Sequence, residues 1–391
     1  MLEAQRARVA EATDPESRAI ALIELAEVEP IFGHRQAIVR GLLHEAAAIV
    51  DTLGKPALEG RVLLRLAYVK LVEDDFEGTE QMATRALARL ADDTYRVLEA
   101  NVMLARAAIR RHQFPQAEAM LVELGDVAEP ETLTPVSSRA GVLFALAWAE
   151  LALEQQDYTK AGERLVMVNK ATRSDPALAE AGFTCRQMLC LIDLATNKFT
   201  QACAVMREVV TIAKSWNANE DEIEMRLGLA GALGEKGEPV NLDEAEKHLQ
   251  IARDRALESG IDTLYTTALI AQAGLLNRKG QTRAALDRCI EVAELAVSKQ
   301  DLPKYGVAVG LMSQIYEQKG DLASAYRTFA EANASLRDVI GERAKDIIVP
   351  YMAAFADRIG RAKFEEIAGQ VNRAAQALHV FHRSGKQNDQ E

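Results

Sequence analysis

A recurrence of about 40 residues runs through this chain and limits how it can fold more than any other feature. Counting back from Ala325, equivalent positions fall at Ala285, Ala245, Ala202, Ala161, Ala117, Thr79 and, more weakly, Val39, in steps of 40, 40, 43, 41, 44, 38 and 40 residues. Each anchor except Val39 follows a turn-forming stretch such as "HQFPQA", "NKFTQA" or "KGDLASA". An apolar residue stands four positions after each of these seven: Ala83, Leu121, Leu165, Met206, Leu249, Cys289 and Phe329. Apolar spacing of three and four on both sides of each turn predicts two amphipathic helices per unit, each roughly 25 Å long at ~1.5 Å per residue. Such a unit cannot bury its apolar face alone, so the units must stack. Stacking lets one array exceed the ~250–300 residues that limit a single core.

The best-formed unit is "LMSQIYEQKGDLASAYRTFAEA". It resembles a tetratricopeptide repeat, with Ser313, Tyr316, Gly320, Asp321, Ala325, Phe329 and Ala332 in that motif's places. "FALAWAELALEQQDYTKAGERLVMV" keeps Ala149, Asp157, Ala161 and Leu165, and "LAGALGEKGEPVNLDEAEKHLQIA" keeps Ala230, Gly237, Ala245, Leu249 and Ala252. Physically, two helices approach to about 8 Å only where side chains are small, and a large residue one turn away fills the hollow. Gly closes the first helix in a left-handed conformation, and Asp caps the second. The ~40-residue step also suits HEAT or armadillo units, but the residue pattern follows the long-helix tetratricopeptide form of bacterial signalling and regulatory proteins. The resemblance covers about residues 60–335. It implies an all-α, right-handed α-solenoid of about eight antiparallel hairpins with a C-terminal capping helix.

The expected organisation is a degenerate N-terminal helical unit over 1–55, the repeat array over 56–340, capping or dimerisation helices over 341–382 and a disordered tail over 383–391. Two spacers, Gly125 to Ser138 and "GEKGEPVNLD", account for the longer steps and read as tolerated insertions or binding loops. Pro350 is expected to break its helix, and the pattern changes after Gly360. Phe364, Ile367, Val371, Ala374, Leu378 and Phe381 then form a narrow seam. That seam reads either as a cap on the array or as the interface of a homodimer.

Composition removes several functions. With 46 Lys+Arg against 58 Asp+Glu the net charge is −12, which disfavours nucleic acid and anionic membrane as partners. The longest uncharged run, Thr263 to Asn277, is 15 residues, short of the ~20 a membrane span needs, so no membrane insertion is expected. The N-terminus has no apolar signal segment, and the chain reads as cytoplasmic. Cys185, Cys190, Cys203 and Cys289 lie in apolar helical patterns without a CxxC pair and read as reduced core thiols. No HExxH, GxSxG, GxGxxG or Walker pattern occurs. Gly228, Gly231, Gly234 and Gly237 read as a small-residue contact face rather than a phosphate loop, and His379 and His382 as surface residues. No catalytic residue, cofactor or metal is expected, and an enzyme with a site assembled across helices is the weaker alternative.

The family resemblance implies a concave groove lined by the first helices, taking a peptide or a helix from a partner protein. Helical periodicity puts Arg61, Tyr68, Glu99, Arg106, Arg110, Glu150, Gln187, Asn277, Arg278, Gln314 and Glu317 on that face. Arg106 and Arg110, a spacing of four apart, form a cationic patch suited to an acidic segment or free C-terminus. Their alternative is pairing within the chain, with Glu99 or Glu118. The sequence therefore supports a non-catalytic scaffold or regulator, with a ligand-gated switch driven by a short signalling peptide as the second reading.

Overall fold

Eight repeat anchors predicted from one period should all be inaccessible if the period is real. Val39, Thr79, Ala117, Ala161, Ala202, Ala245, Ala285 and Ala325 each have 0% exposure. The computed structural model describes residues 2–31, 35–90, 92–127, 139–173, 175–234 and 241–387, without the side chains of 35, 126–127, 176 and 375–387. The described residues are mostly helical, with no strand among them. They form a tetratricopeptide-like helical-repeat fold whose contacts divide into two compact units, 1–240 and 241–391.

The first unit opens with α1 (Leu2–Glu11) and the hairpin α2 (Pro15–Val28) and α3 (Arg35–Leu53). Four more hairpins follow: α4 (Pro56–Val72) with α5 (Phe76–Leu87), α6 (Thr94–Arg110) with α7 (Phe114–Val127), α8 (Arg139–Glu154) with α9 (Tyr158–Arg173), and α10 (Ala179–Ala195) with α11 (Phe199–Trp216). Helix α12 (Asn219–Leu233) closes this unit. Each first helix packs on its own second helix, and from α2 to α10 successive first helices also pack on one another, as α4 does on α6 and α6 on α8. The second unit holds α13 (Leu242–Glu258), the hairpins α14 (Asp262–Arg278) with α15 (Thr282–Ser298) and α16 (Leu302–Gln318) with α17 (Leu322–Ile340), then α18 (Ala344–Ile359) and α19 (Arg361–Gln387).

The turns explain the register. Five residues before six of the anchors the backbone is left-handed: Asp74, His112, Gln156, Asn197, Gly280 and Gly320 have φ between 56° and 77°. A left-handed residue reverses the chain within three positions, and glycine fills only two of the six. Carboxylates cap the helices that follow, Asp75 accepting from Gly78 N, Asp157 from Lys160 N and Asp321 from Ser324 N.

Pro350 does not break its helix. It lies inside α18, which Ala344, Ile348 and Phe355, at most 1% exposed, hold in the core of the second unit. The breaks fall at Gly341 and Gly360, both at positive φ. Tyr351 lies across α16 at Gly306 and Gly310, where an added Cβ would come within 2.7 Å of its ring. Of the seam, Phe364 meets Tyr326 edge-on at 5.5 Å and Ile367 is buried, whereas Ala374 is exposed. The side chains of Leu378, Phe381, His379 and His382 lie outside the described residues, as do residues 128–138, 235–240 and 388–391 of the two spacers and the tail.

All four cysteines are buried. Burial pushes the thiols of Cys185, Cys190 and Cys289 up to about 12. Of the four spaced glycines, Gly228 sits on α12 with Met206 against it, whereas no described residue faces Gly231 and Gly234 caps the helix, so the expected contact face reduces to Gly228; Gly237 lies outside the described residues.

Candidate functional site

In the first unit the first helices carry large polar residues among small ones, and one face of them encloses a cavity of about 330 Å³. Its apolar floor is Leu64 of α4, Met103 of α6 and Leu143 of α8. Around that floor stand Glu27, Arg61, Arg65, Tyr68, Asp93, Tyr95, Arg96, Glu99 and Arg139. All come from first helices or the turn entering α6, because only those helices adjoin one another along this face.

The arginines are engaged to different degrees. Arg61 donates to both oxygens of Glu27, at 3.1 and 2.8 Å, and Arg96 donates to the same carboxylate at 2.8 Å. Burial works to raise Glu27, but Arg61 and Arg96 together hold it below the usual carboxylate range. Arg65 is 3% exposed and pairs with Glu180 of α10 at 2.9 Å. Arg139 differs. Its nearest carboxylates are Glu99 at 3.6 Å and Glu180 at 3.9 Å, both beyond hydrogen-bond length, and its side chain is 30% exposed. Glu99 in turn is pushed up by burial, which the charge of Arg139 only partly offsets.

Tyr68 sits between two guanidinium groups, Arg65 at 5.1 Å and Arg106 at 5.9 Å from its ring centre. Burial raises its hydroxyl pKa. Arg106 and Arg110 both donate to Glu150 of α8, at 2.8 and 2.5 Å. Burial would raise Glu150, yet the two arginines hold it below its ordinary value. The expected cationic patch is thus compensated within the chain, and its partner is Glu150 rather than Glu99 or Glu118. Arg106 is buried at 4% exposure, while Arg110 stays about half exposed.

Six of the residues read from periodicity therefore come together in the first unit: Arg61, Tyr68 and Glu99 on the cavity, and Arg106, Arg110 and Glu150 in the network beside it. Gln187 donates to Asp221 of α12 at 2.9 Å. Burial pushes Asp221 up to about 6. The remaining four lie in the second unit. Asn277 donates to Gln318, and Arg278 is exposed at the end of α14. Both carboxylate oxygens of Glu317 accept from Arg358 of α18, and Gln314 lines a small cavity with Tyr351. There α18 covers the face on which a groove was expected.

Sequence reasoning missed Glu27, Arg65, Arg96, Arg139 and Glu180. Arg65 carried a legible signal, since it follows Arg61 at the spacing of four that singled out Arg106 and Arg110. The others carried none: apart from Asp93, three residues from Arg96, their charged partners lie 34 to 115 residues away in the chain. Among the described residues no helix is long and apolar enough to cross a membrane, and no group of three or more His, Cys, Asp or Glu could hold a metal ion.

No family model and no curated protein matches this sequence. Solved structures do. A signal transduction ATPase with numerous domains and a tetratricopeptide repeat sensor, from Pyrococcus horikoshii, superposes with a TM-score of 0.60 at 14% identity, over 97% of this chain and 55% of its own. The chain thus spans little more than half the length of that protein. The apo form of RapI superposes with a TM-score of 0.60 at 12% identity, over 83% of this chain and 92% of its own. NprR in complex with its cognate peptide NprX does so at 0.50 and 15% identity, over 81% and 88%. At such identities the likeness is one of fold.

Proposed function

We propose that this chain is a non-catalytic scaffold or regulator that binds a peptide segment of a partner on the first-helix face of its first unit. The observation that carries the reading is Arg139. It is a cavity arginine with no hydrogen-bonded carboxylate among the described residues, next to the apolar floor of Leu64, Met103 and Leu143. A ligand carboxylate there gains charge-assisted, bidentate bonds that Glu99 and Glu180 do not make. The apolar floor takes the side chain beside it. The chemistry fits a peptide ending in an apolar residue with a free C-terminus better than one carrying an acidic run, because Glu27, Asp93 and Glu99 line the same cavity. The similarity in fold to a structure that holds a peptide supports this reading.

The test is a pool of pentapeptides ending in Leu, as free acids and as C-terminal amides, titrated against the full chain. Acids binding at least tenfold tighter than amides, with the difference lost in Arg139→Leu at unchanged helicity, is the expected result. Equal binding of acids and amides, or none, ends the proposal. A ligand-gated switch is the second reading, favoured by Arg139 facing both Glu99 and Glu180. For the C-terminus we read α18 and the start of α19 as a cap, since Phe364 and Ile367 pack inside the second unit. A homodimer seam would have to begin beyond Val371.

A further inference from the structure

In a stacked array each repeat touches its neighbours, so contacts across more than two hairpins are unusual. Here Arg65 of α4 meets Glu180 of α10, three first-helix steps along at roughly 10 Å each. The face must curve inward for the two to meet. Between them runs the segment that leaves α2, extended at Glu29 with φ −74° and ψ 124°.

Glu29 is tied to its surroundings by its N–H to the carbonyl of Leu25 and its carboxylate to Arg6, and beyond these the end of α2 and the segment are held by two buried side chains bonding to main chain. Arg65 Nε donates to the carbonyl of Ala26 and Arg65 Nη2 to the carbonyl of Glu29, both at 2.9 Å. Glu180 Oε1 accepts from the backbone N–H of Ile31 at 3.0 Å. Pro30, between them, has no N–H to place. Such contacts read backbone polarity rather than sequence, which is how a groove holds an extended peptide. The Ile31 side chain is fully buried in the core of the first unit, so an apolar pocket accompanies the polar contacts. Arg65 also lines the open cavity, and Arg139 lies between that cavity and Glu180.

We infer that Arg65 and Glu180 form a peptide-backbone subsite contiguous with the cavity, and that the chain's own Glu29–Ile31 segment fills it as a built-in ligand. Its external ligand class is an extended peptide with a branched apolar side chain in the place of Ile31. The inference deepens the peptide-binding reading and rests on it for the incoming ligand. It does not depend on a ligand carboxylate at Arg139. Binding at the subsite and seating of the internal segment exclude one another, so each weakens the other by the same factor.

The test follows hydrogen exchange at the Ile31 amide in the full chain, with a probe peptide copying residues 27–31, acetylated and amidated. The inference expects this amide to exchange through a local opening well short of global unfolding, and the probe to speed it at least tenfold while amides in the middle of α10 are unchanged. A probe with Asp in place of its Ile should have no effect. Ile31→Ala, which weakens the internal occupant, should bind a fluorescent form of the probe at least tenfold tighter than the native chain does, and Glu180→Ala should not bind it. Should Glu180→Ala fail to fold, the native-chain exchange and Ile31→Ala decide. Exchange of Ile31 only with global unfolding, indifferent to the probe, would make the segment a static anchor and overturn the inference. Because the probe is amidated, that failure is separate from failure of the carboxylate test on Arg139.

Discussion

Glu150 of α8 accepts from both Arg106 and Arg110 of α6, at 2.8 and 2.5 Å, and the Arg106–Glu150 pair is 5% exposed on each side. Removing one member of a buried pair leaves the other charged and unsolvated, at about 3–5 kcal/mol, whereas replacing both with apolar groups of similar volume is often nearly neutral. Glu150→Gln should therefore destabilise the first unit by about 3 kcal/mol or more. Arg106→Met with Glu150→Met should recover most of that. Denaturant unfolding of the single and double variants checks it, and additive losses would contradict the pairing.

Gln156 and Gly320 occupy equivalent turn positions at φ 60° and 77°. A side chain in the left-handed region costs about 1–2 kcal/mol, and glycine avoids that at an entropic cost of about 0.5–1 kcal/mol. Gln156→Gly should leave stability unchanged or raise it by up to about 1 kcal/mol, while Gly320→Ala should lower it by about 1 kcal/mol. Thermal unfolding of both variants is the measurement, and opposite signs would refute the turn assignment.

Asp221 has its native carboxyl raised by burial to about 6, against about 3.9 in an unfolded chain. Between those values the folded state holds more protons than the unfolded one, so this group costs stability as pH rises from about 4 to 6, and the cost is complete at neutral pH. Asp221→Asn should then stabilise on the order of 1–2 kcal/mol at pH 7.5. It should change little near pH 3.5. A gain that is the same at both pH values would assign the effect to something other than titration.

Glu99 competes with any ligand carboxylate for Arg139, and its own carboxyl is pushed up by burial. As pH falls from 7, Glu99 takes its proton before a peptide C-terminus, whose ordinary pKa is about 3.5. Affinity for the free-acid Leu pentapeptides should therefore rise toward pH 5. Glu99→Gln should bind them about threefold to tenfold tighter at pH 7, a coupling of about 1 kcal/mol, and should flatten the pH dependence. Titrations of both chains at three pH values read this directly.

The register of the array belongs to the sequence. Eight anchors found by period alone all have 0% exposure, and the residue five before six of them is left-handed. Local spacing decides both, because a helix repeats every 3.6 residues and a hairpin turn spans only a few. Periodicity also placed Arg61, Tyr68 and Glu99 on a first-helix face where the structure has the cavity. It could not show that Pro350 would stay helical, since burial of Ile348 and Phe355 decides that. Nor could it find the partners of the charged residues. Arg61 meets Glu27 across 34 residues, Arg106 meets Glu150 across 44, and Arg65 meets Glu180 across 115. Those pairs depend on how far each hairpin turns relative to the last. That small rotation, summed over several units, comes from side-chain packing between helices, and no local pattern of residues records it.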